Sequence, residues 1–97
     1  MLTITEQELQ IVKAILQQYV PEYSVWAFGS RVKGTAKPYS DLDLAIITDQ
    51  PLSLAIHADL SDAFSESDLT WKVDIVDWAT TDERFRQIIE QQYEILQ

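Results

Sequence analysis

Cysteine is absent from this 97-residue chain. That excludes disulfides and thiolate metal sites, so any bound metal must be held by oxygen ligands or by the single histidine, His57. Glycine occurs twice and proline three times, and there is no linker, repeat or low-complexity tract. Cations are scarce. Seven Lys and Arg face sixteen Asp and Glu, a net charge of −9. A chain this acidic is repelled by nucleic-acid backbones unless its cations are grouped. No apolar run approaches the ~20 residues that span a bilayer, and the opening MLTITEQELQ is polar and acidic where a secretory signal is basic and then apolar. These absences predict a soluble, cytoplasmic protein with neither membrane nor nucleic acid as partner. The length predicts one domain over residues 1–97. Its 46% apolar content supports a small core, which association into a homo- or hetero-oligomer would help.

Periodicity predicts a helix over 5–20, where Thr5 and Glu8 form a capping box and Leu9, Val12, Leu16 and Tyr19 share a face, stopped by Pro21. SVWAF (24–28) reads as a strand. Gly29-Ser30 turns the chain into a short helical turn and a loop, broken by Gly34 and Pro38. DLDLAII (41–47) alternates as a second strand, with Asp41 and Asp43 on one face and Leu42, Leu44 and Ile46 on the other. Residues 52–64 read as a helix with Ser53 as a cap, and WKVDIV (71–76) as a third strand. A last helix is expected over 80–96, capped by Thr80 and Glu83, with Phe85, Ile88, Ile89, Tyr93 and Leu96 as its apolar face. The order α-β-turn-β-α-β-α is an α/β (α+β) fold, a small mixed sheet covered by helices on one side.

What is scarce is also concentrated. Residues 27–46 hold both glycines, three of the seven cations (Arg31, Lys33, Lys37) and the Asp41–Asp43 pair. Those two carboxylates lie roughly 6.5–7 Å apart along a strand, close enough to raise each other's pKa unless a cation neutralises them. Oxygen ligands in an incomplete cage suit Mg²⁺, which completes its shell with water and substrate phosphates; Mn²⁺ is the alternative. Asp74 is the expected third carboxylate, with Asp77 three residues on left open. Two metals on three carboxylates can carry phosphoryl or nucleotidyl transfer. Gly29 allows a tight turn and close approach to a phosphate, Ser30 adds a hydroxyl, and Arg31 and, less strongly, Lys33 reach toward phosphate. Ser40 caps or orients the Asp41 end of the strand. Without the glycine-serine turn an acidic pair at a strand end is more often a solvated turn, and His57 reads as an ordinary helix residue rather than a ligand.

Phe28-Gly29-Ser30-Arg31, then Gly34, then Ser40-Asp41-Leu42-Asp43-Leu44, in the spacing GSRxxGxxxxxSDxDL, resembles the signature of the DNA polymerase β-like nucleotidyltransferase superfamily. The short chain is similar to its minimal nucleotidyltransferase (MNT) antitoxin branch, and the resemblance covers residues 25–76. It implies that Gly29 and Ser30 bind a triphosphate, with Arg31 and Ser40 beside them, and that Asp41, Asp43 and Asp74 bind metal and carry catalysis. It also implies ATP or another NTP as substrate and a helical HEPN-family toxin as partner. A tyrosine of that toxin would be the acceptor of AMP.

Three hypotheses compete. One is a Mg²⁺-dependent enzyme moving an NMP onto a hydroxyl. Another is a nucleotide-binding or catalytically weak antitoxin that neutralises a HEPN ribonuclease by contact. The third, a polymerase-like enzyme acting on nucleic acid, is disfavoured by the charge.

Overall fold

The computed structural model describes residues 2–97. Helix α1 (Glu6–Tyr19) leads into β1 (Ser24–Phe28), a four-residue helix α2 (Ser30–Lys33), β2 (Leu42–Ile47), α3 (Leu54–Ser65) and β3 (Val73–Asp77). A 3-10 turn (Trp78–Thr80), α4 (Glu83–Gln91) and β4 (Glu94–Ile95) complete the described chain. The strands make one sheet in the order β3-β2-β1-β4. β1 runs antiparallel to β2 and β4, and β2 runs parallel to β3 with α3 as the crossover.

Local signals account for the first helices. The Glu8 amide donates to Thr5 Oγ1 at 3.0 Å and the Thr5 amide to Glu8 Oε1 at 2.8 Å, the expected capping box. Ser53 caps α3 by accepting from the Ile56 amide. Val12 and Leu16 of α1 and Leu60 and Phe64 of α3 are buried with Val25, Ala27, Leu42, Leu44 and Ile46 of the sheet in one cluster. The Arg31 guanidinium closes one side of that cluster, 4.5 Å from the Trp71 ring.

The other sheet face is covered as well, although helices on one side were expected. Phe28 and Ala45 pack there with Ile89 of α4, flanked by Trp26, Val76 and Trp78. Trp26 stacks on Tyr93 at 4.2 Å and meets Trp78 edge-on at 5.3 Å. β1 alternates strictly, with Val25 and Ala27 toward one face and Trp26 and Phe28 toward the other, so both faces carry apolar side chains and both need cover.

The chain end differs from the expected helix over 80–96. Asp82, not Thr80, caps α4 by accepting from the Phe85 amide at 2.8 Å. The Thr80 and Thr81 hydroxyls instead donate to the Asp77 carbonyl. After Gln91 the chain extends along the free edge of β1: the Leu96 amide donates to Val25 O at 2.8 Å and the Val25 amide to Gln97 O at 3.1 Å. The pull is tertiary, since an uncovered β1 edge would leave its backbone groups unpaired. Tyr93 and Leu96 therefore belong to this terminal segment rather than to a helix face.

Asp77 ends β3 as a structural clamp. One carboxylate oxygen accepts from the buried Thr48 hydroxyl and the Ala79 amide, the other from the Leu52 amide at 2.7 Å. It thereby ties the end of β2, the entry to α3 and the 3-10 turn together. Asp77→Ala would leave these donors without their charged acceptor, and a loss of about 2–3 kcal/mol in urea unfolding is expected.

Candidate functional site

The site is built at one end of the two central strands. In the sheet register Asp43 of β2 stands opposite Phe28 of β1 and beside Asp74 of β3. Parallel in-register neighbours are about 4.8 Å apart, so two carboxylates leave the same face side by side. Asp41 lies one residue before β2, close enough for its charge to act on both Asp43 and Asp74. Leu42, Leu44 and Ile46 between and beyond them are fully buried. Their burial fixes the alternation of the strand and therefore the face on which Asp43 emerges.

Gly29 is required where it stands. Its φ is +81°, and a Cβ there would collide with Asp43 Oδ2. Only a residue without a side chain lets the backbone leave β1 this close to the carboxylate. Ser30 opens α2, which ends at Gly34 in the left-handed conformation, φ +82°. Gly34 has open space around it, so its role is conformational.

Burial and neighbouring charge raise the pKa of two of these carboxylates, Asp43 and Asp74. Burial, then the Asp74 and Asp41 carboxylates, push Asp43 up to about 6. Burial and then the Asp41 carboxylate also raise Asp74, against a lowering by Lys72 3.9 Å away. Asp43 and Asp74 therefore hold protons more tightly than ordinary carboxylates. Among the described residues no three acidic or histidine side chains are already closed into a metal cage. An open set of oxygens fits a divalent cation that takes further ligands from water and phosphate, and Asp41, Asp43 and Asp74 are the groups that would hold it.

A cavity of about 520 Å³ joins these parts, lined by Gly29, Lys33, Asp43 and Asp74 and walled by Phe85 and Ile88 of α4. One expectation changes here. Arg31 is not a phosphate ligand but a buried anchor, 5% exposed, donating to the carbonyls of Thr3, Pro38 and Ser40. All three of its nitrogens are engaged, and the cation that lines the cavity is Lys33. Ser40 is likewise held in the loop, its hydroxyl accepting from the Lys37 amide at 2.8 Å and its carbonyl from Arg31. Ser40 thus orients the segment leading to Asp41. Asp77 faces away in its clamp, which leaves Asp74 as the β3 carboxylate at the cavity. His57 is half-buried on α3 and lines a different depression.

Sequence reasoning missed the α4 wall. Phe85, Ile88 and Ile89 were expected to share one apolar face; Ile89 is buried (1% exposed), while Phe85 and Ile88 are 38% and 44% exposed. The available signal was the spacing 85–88–92, one stripe of a helix that is offset from Ile89.

Carboxylates from two adjacent strands, the glycine of a tight turn and a lysine meet at one cavity. A family model described as polymerase beta, nucleotidyltransferase matches residues 10–97, and the chain belongs to that family. It is 62% identical over 96 residues to a probable protein adenylyltransferase MntA of Haemophilus influenzae, covering 99% of this chain and 84% of that one. The fold is shared with a crystallised toxin–antitoxin with AMP-PNP, at TM-score 0.77 and 24% identity, covering 92% of this chain and 72% of the other. It is shared as well with a complex of tri-AMPylated Shewanella oneidensis HEPN toxin and MNT antitoxin, at TM-score 0.66 and 23% identity, covering 92% and 71%. Among the described residues no helix is long and apolar enough to cross a membrane.

The raised Asp43 pKa has a sign for stability. Its folded value of about 6 lies above the reference of 3.8, so the metal-free native state binds the proton more tightly than the unfolded chain. Stability contributed by that proton is complete below pH 4 and is lost as pH rises through 6. Asp43→Asn is expected to melt higher than wild type at pH 7 without metal, by about 1 kcal/mol because the half-open site screens the repulsion. The difference should close as pH falls from 6 to 4 in paired thermal melts. Gly29→Ala should displace the Asp43 carboxylate and strain the turn, with a stability loss of about 2 kcal/mol and a fall in divalent-cation affinity measured by calorimetry.

Proposed function

We propose that this chain is a protein adenylyltransferase acting as an antitoxin: it moves AMP from ATP onto a hydroxyl, a tyrosine of a helical HEPN-type toxin. The observation that carries the reading is the meeting of Asp43, Asp74 and Gly29 at one cavity. Identity of 62% to a relative named a probable protein adenylyltransferase supports the choice of acceptor class. The 97 residues are read as one minimal nucleotidyltransferase domain working in the cytoplasm, where ATP is available.

Asp41, Asp43 and Asp74 would hold divalent metal, Mg²⁺ or Mn²⁺, in a two-ion arrangement. Bound there, the ions would supply charge neutralisation of the triphosphate and a lowered pKa for the attacking hydroxyl. The protein's own groups do the positioning. The Ser30 hydroxyl and the Lys33 ammonium bind the outer phosphates, and Gly29 leaves room for them beside Asp43. The acceptor oxygen forms its bond to the α-phosphorus as the bond to the bridging oxygen breaks, and pyrophosphate leaves. Asp74, at the open edge of the site, accepts the hydroxyl proton.

The test uses α-labelled ATP, Mg²⁺, the full chain and the protein encoded beside it. Label should appear on a tyrosine of the partner with wild type and fall at least about 100-fold with Asp41→Asn/Asp43→Asn, the scale on which removing metal and charge stabilisation acts. A stable complex that forms equally with both proteins and carries no label would overturn the enzymatic reading in favour of neutralisation by contact.

A further inference from the structure

Helix α4 forms one wall of the site cavity, and that wall is apolar. Phe85, Ile88 and Gln92 face the cavity that Gly29, Lys33, Asp43 and Asp74 line from the other side. Scattered exposed apolar residues need no explanation in a small domain. Two neighbouring ones on the wall of a cavity whose opposite side is charged do, since an apolar wall with a few convergent polar groups is the make-up of a small-ligand site. The wall is also held in place. The Phe85 ring meets Phe28 edge-on at 5.8 Å and 78°, and Phe28 is the residue paired with Asp43 in the sheet. Ile89 anchors the same helix in the second core cluster. Gln92 Nε2 donates to Val32 O at 3.3 Å, tying the end of α4 to the helix that carries Ser30 and Lys33. The aromatic ring is therefore fixed relative to both the carboxylates and the phosphate-facing turn.

We propose that Phe85 and Ile88 form the nucleobase platform, with the base stacked on α4 and the phosphates directed toward Ser30 and Lys33. This rests on the nucleotidyltransferase reading above and deepens it. Phe85 and Ile88 have no hydrogen-bonding group, and one N–H of the Gln92 amide is already donated to the backbone of α2. The site then senses the stacking area of a base rather than the pattern on its edge, because every base presents a π-face. Purines are favoured over pyrimidines, and adenine is separated little from guanine.

The test is a titration of the full chain, with Mg²⁺, by an ATP analogue carrying a fluorescent group on its ribose. Displacement is then measured with ATP, GTP, CTP, UTP and inorganic tripolyphosphate. In wild type, ATP and GTP should compete within about threefold of each other and the pyrimidine nucleotides about tenfold less well. Phe85→Ala should weaken ATP by about tenfold and leave tripolyphosphate unchanged, while Phe85→Trp should restore ATP binding. Thermal melts of the same samples confirm that the variants are folded. Unchanged ATP affinity in Phe85→Ala would overturn the platform and leave the wall as a protein-docking face. An equal loss of ATP and tripolyphosphate would overturn it too, by showing a general collapse of the site. If wild type bound neither ATP nor tripolyphosphate, the nucleotidyltransferase reading itself would fall, and the platform with it.

Discussion

The pairing of β2 with both of its neighbours is the constraint on which the site depends. A single strand must bury Leu42, Leu44 and Ile46 on one face while Asp43 emerges on the other, opposite Phe28 and beside Asp74. Each apolar side chain that is withdrawn from water contributes roughly 1.5–3 kcal/mol, more than the repulsion between half-exposed carboxylates opposes. The core therefore holds the acidic groups together against their own charge. A register slip of one residue would turn Asp43 inward and Leu44 outward, so the same burial that stabilises the fold keeps the carboxylates on the cavity face.

Around that pair the remaining polar groups divide between scaffold and site. Arg31, Ser40 and Asp77 carry functional-looking side chains and spend them on the scaffold, binding the Thr3, Pro38, Lys37, Thr48 and Leu52 backbone or side-chain groups. Buried in this way, Arg31 keeps its charge by meeting three carbonyls and the face of Trp71. Lys33, two residues on and exposed, is the cation left at the cavity. In a domain of this size a few such anchors replace the larger core that would otherwise order the loops.

The cavity has two chemically different sides, and each comes from a different part of the chain. Residues 29–43 and Asp74 supply charge and a close-approaching backbone. Helix α4 supplies Phe85 and Ile88. The second sheet face makes this possible. Had helices covered one face only, α4 would have had no surface on which to bury Ile89 and no position from which to wall the site.

By itself the sequence determined the elements and the chemistry of the opening stretch. Strand alternation put Asp41 and Asp43 away from the apolar set, the Thr5–Glu8 box and Ser53 set two helix starts, and the rarity of glycine singled out 29 and 34. These are local effects, set by periods of two and 3.6 residues and by single side chains bonding to nearby amides. Tertiary structure alone decided that Arg31 is an anchor and Lys33 is not, that Asp77 clamps the end of β3, and that residues 94–95 pair with β1 rather than continue a helix. It also decided which side of α4 meets the sheet. Each of these turns on a partner distant in the chain: a carbonyl 28 residues away for Arg31, a hydroxyl 29 away for Asp77, a vacant strand edge for the chain end. No local period encodes which partner will be near, because that is settled only when the two faces of the sheet are covered.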